Sequence, residues 1–71
     1  MNKDERISLN IKKYRDKLGI SELDMATEMG LPFTFYRLFE LTASKFDVAM
    51  LSKAAGILGC SIEELEDSNE E

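Results

Sequence analysis

The chain has 71 residues, which is the length of one small domain with a small core. Hydrophobic residues make up 44% of it, a share typical of folded domains, and the single Cys excludes an intrachain disulfide bond. There is no His, and no apolar run approaches the roughly 18 residues that span a membrane. These features predict a cytoplasmic protein that does not enter a membrane.

The net charge of -5 is unevenly distributed along the chain. Residues 1–20 carry six basic and three acidic groups, whereas residues 21–71 carry three basic and eleven acidic groups. Six of those acids lie in the last nine residues, and residues 1–62 have a net charge of +1. A nearly neutral body with a basic first helix still permits contact with phosphates, which binding to nucleic acid requires.

Apolar residues at helical spacing predict a first helix that ends at Gly19, since a left-handed glycine commonly ends a helix. The apolar stripe of this helix is formed by Ile7, Ile11, Tyr14 and Leu18. Ser21, followed three residues later by Asp24, is typical of a capping box and opens a second helix that ends at Gly30. The inward residues of the second helix are Met25, Ala26 and Met29.

A third helix is predicted to begin near Pro32, because the first helical turn does not need the missing N–H of proline. Its apolar positions are Phe35, Tyr36 and Phe39. The polar stretch from Thr42 to Lys45 predicts a loop. Asp47 then caps a fourth helix that ends at Gly59. The inward residues of the fourth helix are Val48, Leu51, Ala54, Ala55 and Leu58.

Ser61 and Glu64 form another capping box, which opens a short fifth helix with Ile62 and Leu65 inside. No stretch alternates with the period of two that a strand requires. We therefore predict an all-α fold, a compact five-helix bundle. The predicted organisation is a flexible N-terminus over residues 1–6, the folded domain over 7–66 and an acidic disordered tail over 67–71.

The sequence resembles the phage repressor and Cro family of helix-turn-helix proteins over roughly residues 7 to 65. The likeness is carried by a set of short stretches with intact spacing. These are Asn10-Ile-Lys-Lys-Tyr-Arg15, Lys17-Leu-Gly-Ile-Ser21, Met25-Ala26, Met29-Gly30-Leu31, Tyr36, Phe39-Glu40 and Ile57-Leu-Gly-Cys-Ser-Ile-Glu-Glu-Leu65. The resemblance implies a lambda-repressor-like fold, and it implies an ion pair between Arg15 and Glu40 that joins the first helix to the end of the third.

The resemblance also implies a DNA-binding transcriptional regulator whose third helix, Pro32 to Glu40, lies in the major groove of double-stranded DNA. The outward positions of that helix map to Phe33, Thr34, Arg37 and Leu38, and the following loop supplies Ser44 and Lys45 as phosphate contacts. Members of this family typically act as homodimers on two half-sites. Ile62, Leu65 and residues near Ile57 are the expected dimer contacts.

Three positions depart from the family pattern. Glu22 follows the capping Ser where the family has Gln, and an acid there repels phosphate. Phe33 and Leu38 stand where the family has polar residues that pair with base edges. An alternative function is therefore a protein–protein interaction module, whose partner binds an apolar surface formed by Phe33, Leu38 and Leu41. A third possibility is that Phe33 folds back beside Leu23 and is largely covered.

The sequence contains no nucleophile–base pair, no phosphate-binding glycine loop and no metal-ligand spacing. We therefore expect no cofactor and no metal site, and we expect that the chain is not an enzyme.

Overall fold

In a computed structural model that describes residues 3–45 and 47–67, the chain forms five α-helices and one short 3-10 turn. The helices are α1 (Lys3–Leu18), α2 (Glu22–Met29), α3 (Phe33–Leu41), α4 (Val48–Leu58) and α5 (Ile62–Glu66), and the 3-10 turn (Ala43–Lys45) lies between α3 and α4. No strand occurs within the described ranges. The predicted all-α five-helix fold is confirmed.

Three helix ends share one backbone geometry, which accounts for the sharp turns of the chain. Gly19, Gly30 and Gly59 have φ values of 71°, 71° and 73°, in the left-handed region that glycine adopts without a Cβ clash. The residue after each glycine donates its N–H to the carbonyl five residues back, at 3.0, 2.9 and 3.0 Å. Those following residues are Ile20, Leu31 and Cys60, and each packs against the core.

Capping side chains fix the starts of three helices. The side chains of Ser21, Asp47 and Ser61 accept hydrogen bonds from backbone N–H groups three residues later, at 3.0, 3.0 and 3.1 Å. The Ser61–Glu64 capping box is complete, because Glu64 also accepts a hydrogen bond from the Ser61 N–H at 2.8 Å. Pro32 precedes α3 without a side-chain cap.

The core lies where α1 crosses α3, α4 and α5, with α2 packed on α3 and α4. Its largest fully buried side chains are Tyr36, Phe39, Ile7, Ile11, Met25 and Leu65. Ala43, in the segment predicted as a loop, is also fully buried, since the 3-10 turn packs against α1. Most of the predicted inward residues are therefore buried.

Three predicted inward residues are exposed instead. Leu18, at 53%, is the last residue of α1, and Ile20 takes the position against the core once the chain has turned. Val48, at 70%, is the first residue of α4, beyond the edge of the core. Phe35, at 41%, lies on the flank of α3 because Tyr36, Phe39 and Glu40 occupy its inward face.

The first helix also begins earlier than predicted. α1 starts at Lys3, so residues 3–6, predicted as flexible, form its first turn, where Arg6 donates to the Glu66 carbonyl at 3.3 Å. Residues 1 and 2 of that predicted segment lie outside the described residues. The same holds for residues 68–71 of the predicted acidic tail, and the domain boundaries stay predictions.

Candidate nucleic-acid interface

The third helix is fixed to the core by two aromatic residues on its inward face. Tyr36 and Phe39 are both fully buried, and their ring centroids lie 5.9 Å apart at a tilted angle of 45°. Ser8 of α1 donates its hydroxyl to the Leu41 carbonyl at 3.0 Å, at the other end of α3. α3 is therefore attached to the core along its inward face and at its C-terminal end, while its opposite face stays in solvent.

A buried ionic network joins α1 to the end of α3. Arg15 Nε donates to Glu40 Oε1 at 3.1 Å and Arg15 Nη2 donates to Glu40 Oε2 at 3.4 Å, a two-point contact of the kind that Arg–carboxylate pairs favour. Arg15 Nη1 also donates to the Ile20 carbonyl at 2.9 Å, and the Tyr36 hydroxyl donates to Glu40 Oε1. The two residues that the family resemblance pairs are thus in contact, at 7% and 9% side-chain exposure.

Burial and hydrogen bonding shift the ionisation of this network. Burial and the hydrogen bond to Glu40 raise the pKa of Tyr36 well above its ordinary value of 10. Burial by itself lowers the pKa of Arg15, but the hydrogen bond and negative charge of Glu40 leave that pKa raised. The hydroxyl and the guanidinium therefore both keep their protons at neutral pH.

The exposed face of α3 is largely apolar. Thr34, Leu38 and Leu41 follow one another at i, i+4 and i+7, so they lie in one row on the helix surface. Leu38 is 51% exposed and Leu41 is 74% exposed. Phe33 is 39% exposed and Leu23 is 60% exposed, so Phe33 is more covered than Leu38 or Leu41 but still contributes to the exposed face.

Arg37 lies on the flank of this face and is held from two sides. Its Nε is 3.7 Å from Glu22 Oε1, and its Cζ is 5.8 Å from the centroid of the Phe33 ring. The second carboxylate oxygen of Glu22 is 4.0 Å from Nη2 of the buried Arg15. Glu22, predicted only to repel phosphate, therefore lies between two guanidinium groups.

Sequence reasoning missed this bridge, because the contact joins the first residue of α2 to the middle of α3. The signal available in the sequence was the position of Glu22 directly after the capping Ser, at the start of the helix that packs on α3.

The loop after α3 places one predicted phosphate contact in solvent. Lys45 is exposed at the end of the 3-10 turn, and its N–H donates to the Thr42 carbonyl at 2.9 Å. The backbone of Ser44 lies in the same turn, while its side chain lies outside what the structure describes. The turn that carries Lys45 therefore follows directly after the C-terminal end of α3.

At the other end of the bundle, α1 caps the last helix. Asn10 is 3% exposed, and its Nδ2 donates to the Leu65 and Asp67 carbonyls at 2.7 and 2.9 Å. Leu65 is fully buried by this arrangement, so its prediction as a dimer contact is wrong. Ile57 and Ile62 are half-buried.

No helix within the described ranges is long and apolar enough to cross a membrane. Across the same residues, no three Cys, Asp or Glu side chains come together in a group suited to holding a metal ion.

The comparisons with known proteins agree on the fold. A helix-turn-helix family model matches residues 11–65. No curated protein matches the chain in sequence. The crystal structures of FeII HppE and of apo-HppE superpose with a TM-score of 0.82 each, at 18% identity, over 93% of this chain. The chain spans about a third of the length of those two chains, 35% and 37%.

The likeness to HppE corrects one expectation. HppE is an epoxidase, so a domain with this fold forms part of an enzyme chain, and the expectation from missing chemical groups that this chain is not an enzyme is contradicted. An identity of 18% shows the shared fold alone, and the likeness carries no activity from HppE to this chain.

The family match covers most of the chain, and membership supports a DNA-binding helix-turn-helix regulator in general. Together with the left-handed glycine turns and the five-helix order, it assigns the chain to the helix-turn-helix family of the phage repressor and Cro type.

Proposed function

We propose that the chain is a transcriptional regulator that binds double-stranded DNA with α3 in the major groove. The observation that carries this proposal is the row of solvent-exposed side chains on α3, opposite the buried Tyr36 and Phe39. An α-helix with its side chains is about 10–12 Å across, which fits the roughly 12 Å width of the major groove.

The exposed side chains match the chemistry of base edges in the groove. Arg37 suits the O6 and N7 acceptors of guanine, and the Thr34 hydroxyl suits either a donor or an acceptor. Leu38 and Phe33 suit the methyl group of thymine, which is the apolar feature of the major groove. Lys45 is exposed where a phosphate contact is expected, and Ser44 stays a predicted contact.

The proposed assembly is a symmetric homodimer on two half-sites about one helical turn apart. One domain of this size makes few contacts with DNA, so a second copy raises affinity and fixes the spacing of the sites. Ile57 and Ile62 are the remaining candidates for the dimer contact, because both are half-buried. The cytoplasmic location stays a prediction.

The test is a selection from random duplexes with the full chain, followed by fluorescence anisotropy on the enriched site. We expect binding that weakens steeply between about 50 and 200 mM salt, with a slope set by the number of phosphates contacted. Arg37→Gln is expected to weaken binding, whereas Lys53→Gln removes the same charge from α4 and is expected to have little effect. Absence of any enrichment or binding at about 50 mM salt contradicts the proposal.

A second candidate function is a protein-interaction module that uses the apolar surface formed by Phe33, Leu38 and Leu41. The observation that favours it is the 74% exposure of Leu41, which lies past the residues proposed to read DNA. Contiguous exposed apolar side chains are typical of contact sites. If this second function is correct, a specific protein should co-purify with the wild-type chain. That protein should no longer co-purify with the double variant Phe33→Asp with Leu38→Asp.

Leu41→Ser separates the two candidates because it removes apolar surface without adding charge. If the chain is a protein-interaction module, this variant should lose the partner. If the chain binds DNA through α3, the variant should keep most of its affinity for the selected duplex. Unchanged melting temperatures of the variants are required in either case, since these side chains are exposed.

A further inference from the structure

We propose that Glu22 and Phe33 position Arg37 to read a guanine, so that selection of this base by the protein depends on Glu22. The inference rests on the proposed function, because it assigns the origin of sequence specificity within the same interface. It makes Glu22 a positioning residue rather than a purely repulsive one.

The first support is the way in which Arg37 is held. Its side chain is 61% exposed, yet it has a carboxylate 3.7 Å from Nε and an aromatic ring 5.8 Å below Cζ. A long exposed side chain loses much rotamer freedom when it binds, and contacts made before binding reduce that loss. Glu22 and Phe33 therefore prepare Arg37 for a contact with one geometry.

The second support is the geometry of the guanidinium group. Its five N–H donors lie in one plane, and the partner Glu22 approaches the Nε edge. The edge formed by the two terminal nitrogens then stays available for two parallel hydrogen bonds. Guanine offers two acceptors, O6 and N7, side by side in the major groove, and this pair is the partner that Arg reads most often.

The third support is the anchoring of Glu22 itself. Its other oxygen lies 4.0 Å from Nη2 of Arg15, which is buried and bound in turn to Glu40. Asp16 Oδ1 also lies 3.5 Å from Nη1 of Arg15. Three carboxylates therefore face two guanidinium groups, so Glu22 is held between two cations while the cluster keeps a net negative charge.

The neighbouring side chains define the rest of the recognised half-site. Thr34 and Leu38 lie three and one residues from Arg37 on the exposed side of α3, and both carry methyl groups. Methyl groups contact the C5-methyl of thymine in the major groove. The expected half-site therefore contains one strongly selected guanine with thymines beside it.

The experiment compares base preference in the wild-type chain and in three variants that each change one side chain. Wild-type chain is first used to select duplexes, and the dissociation constant is then measured for the selected site and for the same site with guanine replaced by adenine. Glu22→Gln is the test variant. Glu28→Gln is the matched control, since it removes the same charge from α2. Glu28 borders a groove that Ile20 and Ile57 also line, and not the contact with Arg37.

We expect wild type and Glu28→Gln to share one ratio of the dissociation constant for the adenine site to that for the guanine site. Glu22→Gln is expected to lower this ratio by roughly tenfold, within the range that one bidentate base contact contributes. Arg37→Lys keeps the charge but not the planar fork, so it is expected to lose the preference while keeping the salt dependence. In the free protein, the Arg37 Nε–Hε NMR signal is expected to exchange faster with water in Glu22→Gln.

Two outcomes overturn the inference. If Glu22→Gln binds more tightly and keeps the wild-type ratio, Glu22 acts by repulsion alone, although the proposed function stands. If wild-type chain selects no duplex, the proposed function fails and the inference fails with it. The two failures are distinguishable because the first leaves a selected site and the second leaves none.

Discussion

Separating Arg15 from Glu40 is expected to remove a large part of the stability of this domain. The variant Arg15→Met loses the two hydrogen bonds to the Glu40 carboxylate and the one to the Ile20 carbonyl. It leaves a buried carboxylate without its counter-charge, a change that costs about 3–5 kcal/mol. A chain of 71 residues has a total stability of about 4–10 kcal/mol, so this single loss is about a third of it or more.

The double variant Arg15→Met with Glu40→Leu is expected to lose less than the sum of the two single variants. Removal of both charges leaves no uncompensated ion, and the remaining loss comes from the Tyr36 hydroxyl and the Ile20 carbonyl, which lose partners. Each such buried group costs about 1–3 kcal/mol. The expected coupling between the two positions is therefore at least about 2 kcal/mol.

Urea unfolding followed by far-UV circular dichroism at pH 7 measures the four free energies of the cycle. Glu40→Gln keeps an acceptor for Tyr36 but leaves the buried Arg15 without its counter-charge, so it is also expected to lose about 3–5 kcal/mol. The control is the pair Lys3–Glu66, whose atoms lie 3.5 Å apart at 62% and 35% exposure. Its coupling is expected to stay below about 1 kcal/mol. Losses at Arg15 and Glu40 that simply add refute the reasoning.

Four further substitutions have expected outcomes. Asn10→Ala removes the amide that caps α5, so we expect a loss of about 1–3 kcal/mol of stability and faster amide hydrogen exchange in Ile62–Glu66. Unchanged exchange in that helix contradicts the capping role of Asn10. Gly56→Ala, inside α4, is expected to gain about 0.4–1 kcal/mol of stability. Gly59→Ala is expected to lose about 1 kcal/mol of stability, because Gly59 has a φ of 73°. Equal effects of the two substitutions in thermal melts argue against the turn geometry. Because the pKa of Tyr36 is raised in the folded chain, its stabilising contribution is complete below about pH 10 and falls as the pH rises further. Urea unfolding at increasing pH should therefore show a smaller alkaline decline in the free energy of unfolding for Tyr36→Phe than for wild type. An equal decline in both proteins contradicts the raised pKa.

Local chemistry made the turns predictable from sequence. The glycines at 19, 30 and 59 and the caps at Ser21, Asp47 and Ser61 each act within a few residues, so their roles follow from short patterns. Helical periodicity likewise identified the buried face, but it does not show where the core ends. Leu18 and Val48 are exposed for that reason, since each lies at a helix end.

The candidate site was predictable as a set of positions but not as a set of contacts. Helical phase indicates that Thr34, Leu38 and Leu41 share the outward row of α3. The bridge from Arg15 through Glu22 to Arg37 depends on how α2 crosses α3, and this crossing follows from packing of the whole core. Missing chemical groups also proved a weak argument about activity, because the fold occurs within an enzyme chain.

The most direct test of DNA binding through α3 is an NMR titration of the isotopically labelled chain with a mixed-sequence duplex at about 50 mM salt, where phosphate contacts dominate binding. We expect the largest amide shifts over Phe33–Leu38 and at Lys45, with the Arg37 Nε–Hε signal among them. We expect little change in the groove lined by Ile20, Thr27 and Ile57, which lies between other helices. A titration that leaves α3 unchanged, or that shifts only the groove, contradicts the proposed DNA-binding surface.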